Sequence, residues 1–351
     1  MTTPIRVALL GYGLAGAIFH APLIAGVDGL ELAAIVTRDE ERRSRARRDH
    51  PNAELLSSPE EVWERVADLD LAVVATVNRA HVPLARSSID AGLAVVVDKP
   101  LAATADEGRA LVGEARDRGV LLTVFQNRRW DGDFQTLSEL LRDDALGEVA
   151  RFESRFERWR PELSAGWRES GDPQDAGGLL YDLGSHLVDQ ALCLFGRVQQ
   201  VYAELDSRRS RAQTDDDTFV ALGHESGVRS HLWMSAVAAQ TGPRFRVLGS
   251  RAAYVKYGLD VQEELLRIGH RPDDPHWGTE PEDRWGTLAA GDRLERVPTL
   301  PGAYQRFYEG VVLALRDGAP PPVEADGVVA ELEVLDAAKE SAREGRVVDL
   351  R

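Results

Sequence analysis

Three ionisable residues crowd one short apolar segment. In Gly177-Gly178-Leu179-Leu180-Tyr181-Asp182-Leu183-Gly184-Ser185-His186-Leu187-Val188-Asp189, Asp182 and His186 are four apart and Asp189 follows three later, so on a helix they share one face bracketed by leucine and valine. Such a cluster is costly on an apolar helix unless it is used. Carboxylate and imidazole are the side chains of proton transfer and of metal binding, but the segment has no obvious third ligand, and a structural Asp–His pair is the plain alternative. Two further motifs carry chemistry. Gly11-Tyr12-Gly13-Leu14-Ala15-Gly16 directly follows an apolar run and opens a helical pattern, the context in which a Gly-rich turn receives a dinucleotide. There Gly11 makes the tight turn, Gly13 lets the pyrophosphate approach, Gly16 allows close packing, and the helix start at Leu14 and Ala15 faces the anion. Asp98-Lys99-Pro100 follows another apolar run, and a lysine there can hold a ribose hydroxyl or a substrate oxygen. Lys99, Lys256 and Lys339 are the only lysines among 42 basic side chains, so a lysine at this place stands out against the composition, with a plain surface charge as the alternative reading.

About 20 residues beyond the Gly-rich turn, an NAD-preferring fold carries an acid for the ribose 2′-hydroxyl. Here the second run ends Ile35-Val36-Thr37-Arg38. A hydroxyl followed by a guanidinium suits a 2′-phosphate, which points to NADP. A one-residue shift of the strand end would offer Asp39 and leave NAD open. The basic stretch Arg42, Arg43, Arg45, Arg47 and Arg48 reads as a solvated helix face.

The elements that must position these residues follow from the hydrophobic pattern. Residues 1–125 alternate strands at Ile5–Leu10, Leu30–Val36, Leu71–Thr76, Ala94–Val97 and Val120–Phe125 with amphipathic helices, the mark of a doubly wound parallel sheet covered on both faces. Residues 126–351 switch to two-residue alternation at about 148–158, 198–206, 218–223, 229–236, 244–249 and 252–257, which predicts an α+β domain with an open, mostly antiparallel sheet. A helix over about 179–195 interrupts it. The stretch between His270 and Pro301 reads as a long irregular loop, and the last helix, about 326–344, is expected to pack back on the first domain.

Together, GxGxxG at the N-terminus, an (E/D)KP after the fifth strand and GG-x₃-D-x₃-H-x₂-D in the second domain resemble the Gfo/Idh/MocA oxidoreductases, sugar and polyol dehydrogenases that use a nicotinamide cofactor. The resemblance runs nearly end to end. Phe19-His20-Ala21-Pro22-Leu23, Asn127-Arg128-Arg129-Trp130-Asp131, Arg160-Pro161, Trp167-Arg168-Glu169 and Lys256-Tyr257-Gly258 are similar to the NADP-dependent scyllo-inositol dehydrogenases within it. The resemblance implies that His186 takes the proton of a ring hydroxyl, Asp182 orients the imidazole, Lys99 steadies the reacting oxygen and Asp189 binds substrate. Thr76, Asn78 and His81 match the loop on the nicotinamide side. Two positions depart from the pattern: Asp98 stands for the usual glutamate, and Val77 for a common proline. Asn127, Arg128, Trp167, Arg168 and Tyr304 are the further candidates for substrate contacts; their arginines leave a uronic acid or sugar phosphate open beside a neutral polyol.

Composition narrows the classes. The chain has 351 residues, 43% of them hydrophobic, and a net charge of 42 − 58 = −16, which argues against a nucleic-acid partner. A single cysteine, Cys193, excludes an internal disulfide, and the N-terminal apolar run is too short for a signal core or membrane span, so cytoplasm is the default. A dehydrogenase of a polyol, aldose or sugar acid competes with a dinucleotide-binding regulator, whose usual mark is a lost lysine or histidine; both are present. The family resemblance further implies a homodimer or homotetramer formed through the open sheet face.

Overall fold

The computed structural model describes residues 3–163 and 166–350. The chain divides into two compact units, one made of Met1–Asn127, Gln262–Trp277 and Ala303–Val329, the other of Arg128–Val261, Gly278–Gly302 and Ala330–Arg351.

The first unit is built on six parallel strands: β1 (Ile5–Leu10), β2 (Leu30–Val36), β3 (Glu54–Leu56), β4 (Leu71–Val74), β5 (Ala94–Asp98) and β6 (Leu122–Phe125), in the order β3-β2-β1-β4-β5-β6. Val7 to Leu10, Leu71 to Val74 and Val95 to Val97 are all buried, as expected of strands covered on both faces. Helices Glu40–Asp49, His81–Asp90 and Ala105–Asp117 join them. The chain winds one way from β1 through β2 to β3 and the other way from β4 to β6. Ligands of such sheets bind where the strand order reverses, at the carboxyl ends of β1 and β4. Strand β3 is a correction to the five expected: with three residues and only Leu56 buried, it is too short to show a period.

The later segment Ala303–Val329 is tied into this unit by several contacts. Helix Gln305–Asp317 carries Arg316, whose guanidinium donates to the carbonyls of Thr3 and Gly29. Thr123 on β6 donates to the Val323 carbonyl, and Arg116 pairs with Asp326 in the first turn of helix Ala325–Glu344.

The second unit carries a nine-stranded sheet: β7 (Val149–Glu157), β8 (Val198–Asp206), β9 (Asp217–His224), β10 (Arg229–Ser235), β11 (Phe245–Gly249), β12 (Ala253–Lys256), β13 (Gly286–Ala290), β14 (Arg293–Val297) and β15 (Val348–Asp349). The order is β14-β13-β12-β11-β7-β10-β9-β8-β15, antiparallel throughout except where β7 runs parallel to β10. Strand β9 alternates between buried and half-buried residues along its whole length, so one face packs inward and the other stays open. On the open face Arg155 lies over the Trp233 ring at 4.0 Å, and Trp233 stacks near Phe219 at 5.1 Å. The expected irregular loop between His270 and Pro301 is overturned: it contains the hairpin β13–β14. The strand β14 is exposed and charge-rich, Arg-Leu-Glu-Arg-Val, so its extended form comes from pairing with β13 and leaves no alternation of burial to read. Among the described residues no helix is long and apolar enough to cross a membrane.

Candidate active site

The glycine turn sits where β1 ends. Gly11 has φ +103°, and a Cβ there would run into the Ala75 carbonyl just past β4. Gly16 is equally constrained, because its Cβ would strike the Gly11 carbonyl. Gly13 differs: a Cβ there would meet only the Arg42 Nη1, at 3.8 Å. The protein's own packing demands glycine at 11 and 16, but not at 13. The open face at Gly13, beside a helix start whose first N–H groups have no intrahelical partner, is therefore the cradle a pyrophosphate fits. The helix that follows contains a π-turn over Gly16–His20 before its α-helical turn Ala21–Ala25, a feature frequent at functional sites.

At the end of β2, Thr37 is buried and Arg38 exposed, with Arg38 Nε donating to the Ser57 carbonyl at 3.0 Å. Asp39 is committed elsewhere: its Oδ1 accepts from the Arg42 amide at 2.9 Å and caps helix Glu40–Asp49. The reading of the following arginines as one solvated face is corrected for Arg43, which folds back to donate to the carbonyls of Thr37 and Leu56 and ties down this strand end.

Lys99 follows β5 directly. Its amide donates to Asp98 Oδ1 at 2.9 Å, and the Lys99–Pro100 peptide is cis. Burial alone would raise the Asp98 carboxyl, but the facing His20, and after it His81 and Lys99, hold it below the usual carboxylate range. His81 is buried, which lowers its pKa and keeps the ring neutral, so Nδ1–H donates to the Pro100 carbonyl at 2.7 Å. His81 thus anchors the lysine loop. Thr76 lies beside Gly11, Asn78 is nearly buried, and Val77, in place of proline, is 38% exposed. Asn127, at the end of the first stretch of this unit, is buried. Tyr304 is fully buried in it, its ring centroid 6.3 Å from that of Phe19.

In the second unit the segment bearing Asp182 and His186 is not one α-helix. Leu180–Gly184 forms a π-turn, with the Ser185 amide bonding back to the Leu180 carbonyl, and the α-helix proper is Ser185–Phe195. The α-helical spacing expected between Asp182 and His186 therefore does not hold, because the wide turn lies between them. Its start is fixed by a residue that motif reading passed over. Asp215, just before β9, accepts from the Leu180 amide at 2.7 Å and from the Thr218 hydroxyl at 2.5 Å, and burial pushes its carboxyl up. It lies in the run Asp215-Asp216-Asp217, where charge alone suggests solvent; only tertiary contact selects Asp215.

Asp182 pairs with Arg168 at 3.3 Å, and the Arg168 guanidinium lies 4.5 Å from the Trp167 ring. Those three candidates are thus neighbours. His186 is 6% exposed on the helix. Asp189 forms a two-pronged pair with Arg129, at 2.6 and 2.9 Å, while Arg128 lies over Phe156 and 3.4 Å from Asp131. Burial works against the charge on Arg129, and Asp189 more than offsets it. Arg129→Met would leave Asp189 buried without its partner. We expect a loss of about 3 kcal/mol, read by urea unfolding, and partial recovery in Arg129→Met/Asp189→Asn. A loss below about 1 kcal/mol would mean that solvent reaches the carboxylate.

These features coincide with known sequences. Residues 5–126 match the oxidoreductase family's NAD-binding Rossmann fold, and residues 138–350 match that family's C-terminal alpha/beta domain. The chain belongs to the Gfo/Idh/MocA oxidoreductase family, and its first unit is an NAD(P)-binding Rossmann domain. It is 36% identical to scyllo-inositol 2-dehydrogenase (NADP(+)) IolW of Bacillus subtilis, over 99% of this chain and 96% of that one. D-apiose dehydrogenase of Paraburkholderia graminis is 28% identical, over 93% and 84%. The solved structure of YvaA from Bacillus subtilis superposes with a TM-score of 0.95 at 35% identity, covering 100% of this chain and 99% of that one. The chain is thus an oxidoreductase with sugar and polyol dehydrogenases among its relatives.

Proposed function

We propose that this protein is an NADP-dependent dehydrogenase that interconverts a ring secondary alcohol and its ketone, with scyllo-inositol as the leading substrate. The observation that carries the cofactor half is the capping role of Asp39: the first acid after β2 is held by the helix it caps, Glu40 and Glu41 lie within that helix's first turn, and Thr37 and Arg38 stand nearest the strand end to meet the ribose. The substrate half is supported by the full-length likeness to IolW. The likeness to D-apiose dehydrogenase keeps an aldose as the second reading.

On this reading His186 takes the hydroxyl proton, Asp182 orients the imidazole, and the Lys99 ammonium steadies negative charge on the reacting oxygen. The bound nicotinamide supplies hydride acceptance, or donation in the reverse direction. Gly11, Gly13, Leu14, Ala15 and Gly16 receive the pyrophosphate, Thr37 and Arg38 the 2′-phosphate, and Thr76, Asn78 and His81 shape the nicotinamide side. Asn127, Arg128, Trp167, Arg168, Asp189 and Tyr304 are the positions we assign to substrate contact or its support. The open face around Trp233 is where we place self-association into a dimer or tetramer.

The test is reduction of NADP⁺ and, separately, NAD⁺ against scyllo-inositol, myo-inositol, xylose, apiose, glucose and glucuronate. Turnover of an inositol with NADP⁺ supports the reading; turnover of an aldose or uronate instead moves the substrate class. Tight NADP⁺ binding without any turnover would favour a regulator. Arg38→Ala removes charge-assisted hydrogen bonds to the 2′-phosphate, so the preference for NADP⁺ over NAD⁺ in calorimetric binding should fall roughly 10- to 100-fold. An unchanged ratio would assign that phosphate to other residues.

A further inference from the structure

His20 belongs to the Phe19-His20-Ala21-Pro22-Leu23 segment, and neither cofactor binding nor proton transfer accounts for it. It ends the π-turn, is 0% exposed and lies against Phe125, ring centroids 4.3 Å apart. Nδ1 is 2.6 Å from the hydroxyl of Tyr308, itself fully buried on helix Gln305–Asp317. The other nitrogen, Nε2, is buried with no partner at hydrogen-bond distance; the group it faces is the Asp98 carboxylate, 3.9 Å away. That carboxylate holds the Lys99 amide through the same Oδ1 atom. The negative charge of the facing Asp98 carboxylate favours the tautomer with the proton on Nε2, which leaves Nδ1 to accept from the Tyr308 hydroxyl.

A buried imidazole with one nitrogen lacking a close partner is costly where a phenylalanine would fill the space. A plain packing role does not explain it. We propose that His20 is a positioning residue for Lys99: Tyr308 fixes the ring, the ring holds the Asp98 carboxylate in place, and that carboxylate sets where the lysine leaves the strand. The proposal rests on reading Lys99 as the group that meets the reacting oxygen, and it identifies three distant segments, around 20, 98 and 308, as one support.

The three lysines make the test direct. Uniform labelling with ¹⁵N-lysine gives three backbone amide signals from the full-length protein, and the one lost in Lys99→Arg belongs to Lys99. His20→Phe/Tyr308→Phe removes both polar partners, so neither is left orphaned and the fold has the best prospect of surviving. His20→Gln is the second variant and keeps an N–H directed toward Asp98. We expect the Lys99 signal to move in the double variant while those of Lys256 and Lys339 stay, and to return toward its original position in His20→Gln. With the alcohol the wild type oxidises, kcat should fall roughly 10- to 100-fold in the double variant, with KM for alcohol and cofactor held, and recover in His20→Gln. An unmoved Lys99 signal, equal movement of all three signals, or an unchanged kcat would each overturn the proposal. If the wild type oxidises no alcohol in the panel, the dehydrogenase reading fails on its own, and the amide signal still decides whether His20 positions Lys99.

Discussion

His186→Ala is expected to lower kcat/KM for alcohol oxidation by roughly 10²- to 10⁴-fold while NADP⁺ binding is retained. The reason is chemical rather than structural. A hydride cannot leave a carbinol carbon unless the hydroxyl gives up its proton, and imidazole is the side chain best matched to take one near neutral pH. His186 sits on helix Ser185–Phe195, which also carries the fully buried Leu187, Val188 and Ala191, so its place is set by a packed helix rather than a loop. His186→Gln, closer in volume, separates a lost base from a small cavity: both variants should lose turnover, and Gln should melt nearer to the wild type. Steady-state kinetics with thermal melts of both variants checks this. Full turnover in either one would remove His186 from the reaction and shift the weight to Lys99 or a bound water. Arg168 and Asp215 would then be read as supports of a structural helix start rather than of a catalytic one.

The second large effect is a contrast between two glycines. Gly13→Ala is expected to weaken NADP⁺ binding roughly 100-fold, about 2.7 kcal/mol, with the melting curve nearly unchanged. Gly11→Ala is expected to destabilise the fold by about 2 kcal/mol or more, because its φ of +103° disfavours any side chain and the added Cβ meets a carbonyl that cannot move cheaply. At Gly13 the Cβ meets only the end of a flexible arginine. The two measurements, calorimetric binding and urea unfolding, should therefore separate cleanly. If Gly13→Ala binds NADP⁺ as the wild type does, the pyrophosphate does not approach there, and the cradle reading of this turn fails.

Much of this protein could be read before any coordinates. The apolar runs of β1 and β2 coincide residue for residue with their strands, and the switch to two-residue alternation after about residue 125 marks the change from a parallel to a mostly antiparallel sheet. Those signals are legible because a strand buried on both faces and a strand buried on one face leave different local patterns. The glycine turn, Asp98-Lys99-Pro100 and the Asp182 to Asp189 segment were likewise visible, since each depends on residue type at short spacing.

What escaped the sequence has one physical character: it depends on partners far along the chain. The strands β3 and β14 exist because neighbouring strands pair with them, not because their own residues insist on it. The π-turn at Leu180–Gly184 changes the spacing of Asp182 and His186 in a way no helical period predicts. Asp39 caps a helix and Arg43 holds a strand end, engagements that residue type and spacing near Thr37 and Arg38 do not reveal. Asp189 meets Arg129 across 60 residues, and His20 meets Asp98 and Tyr308 across 78 and 288. The sequence by itself determined which side chains are available for chemistry and which strands and helices carry them. Tertiary structure decided which of those side chains are already engaged, because a buried charge or hydrogen-bonding group takes the partner that folding brings to it.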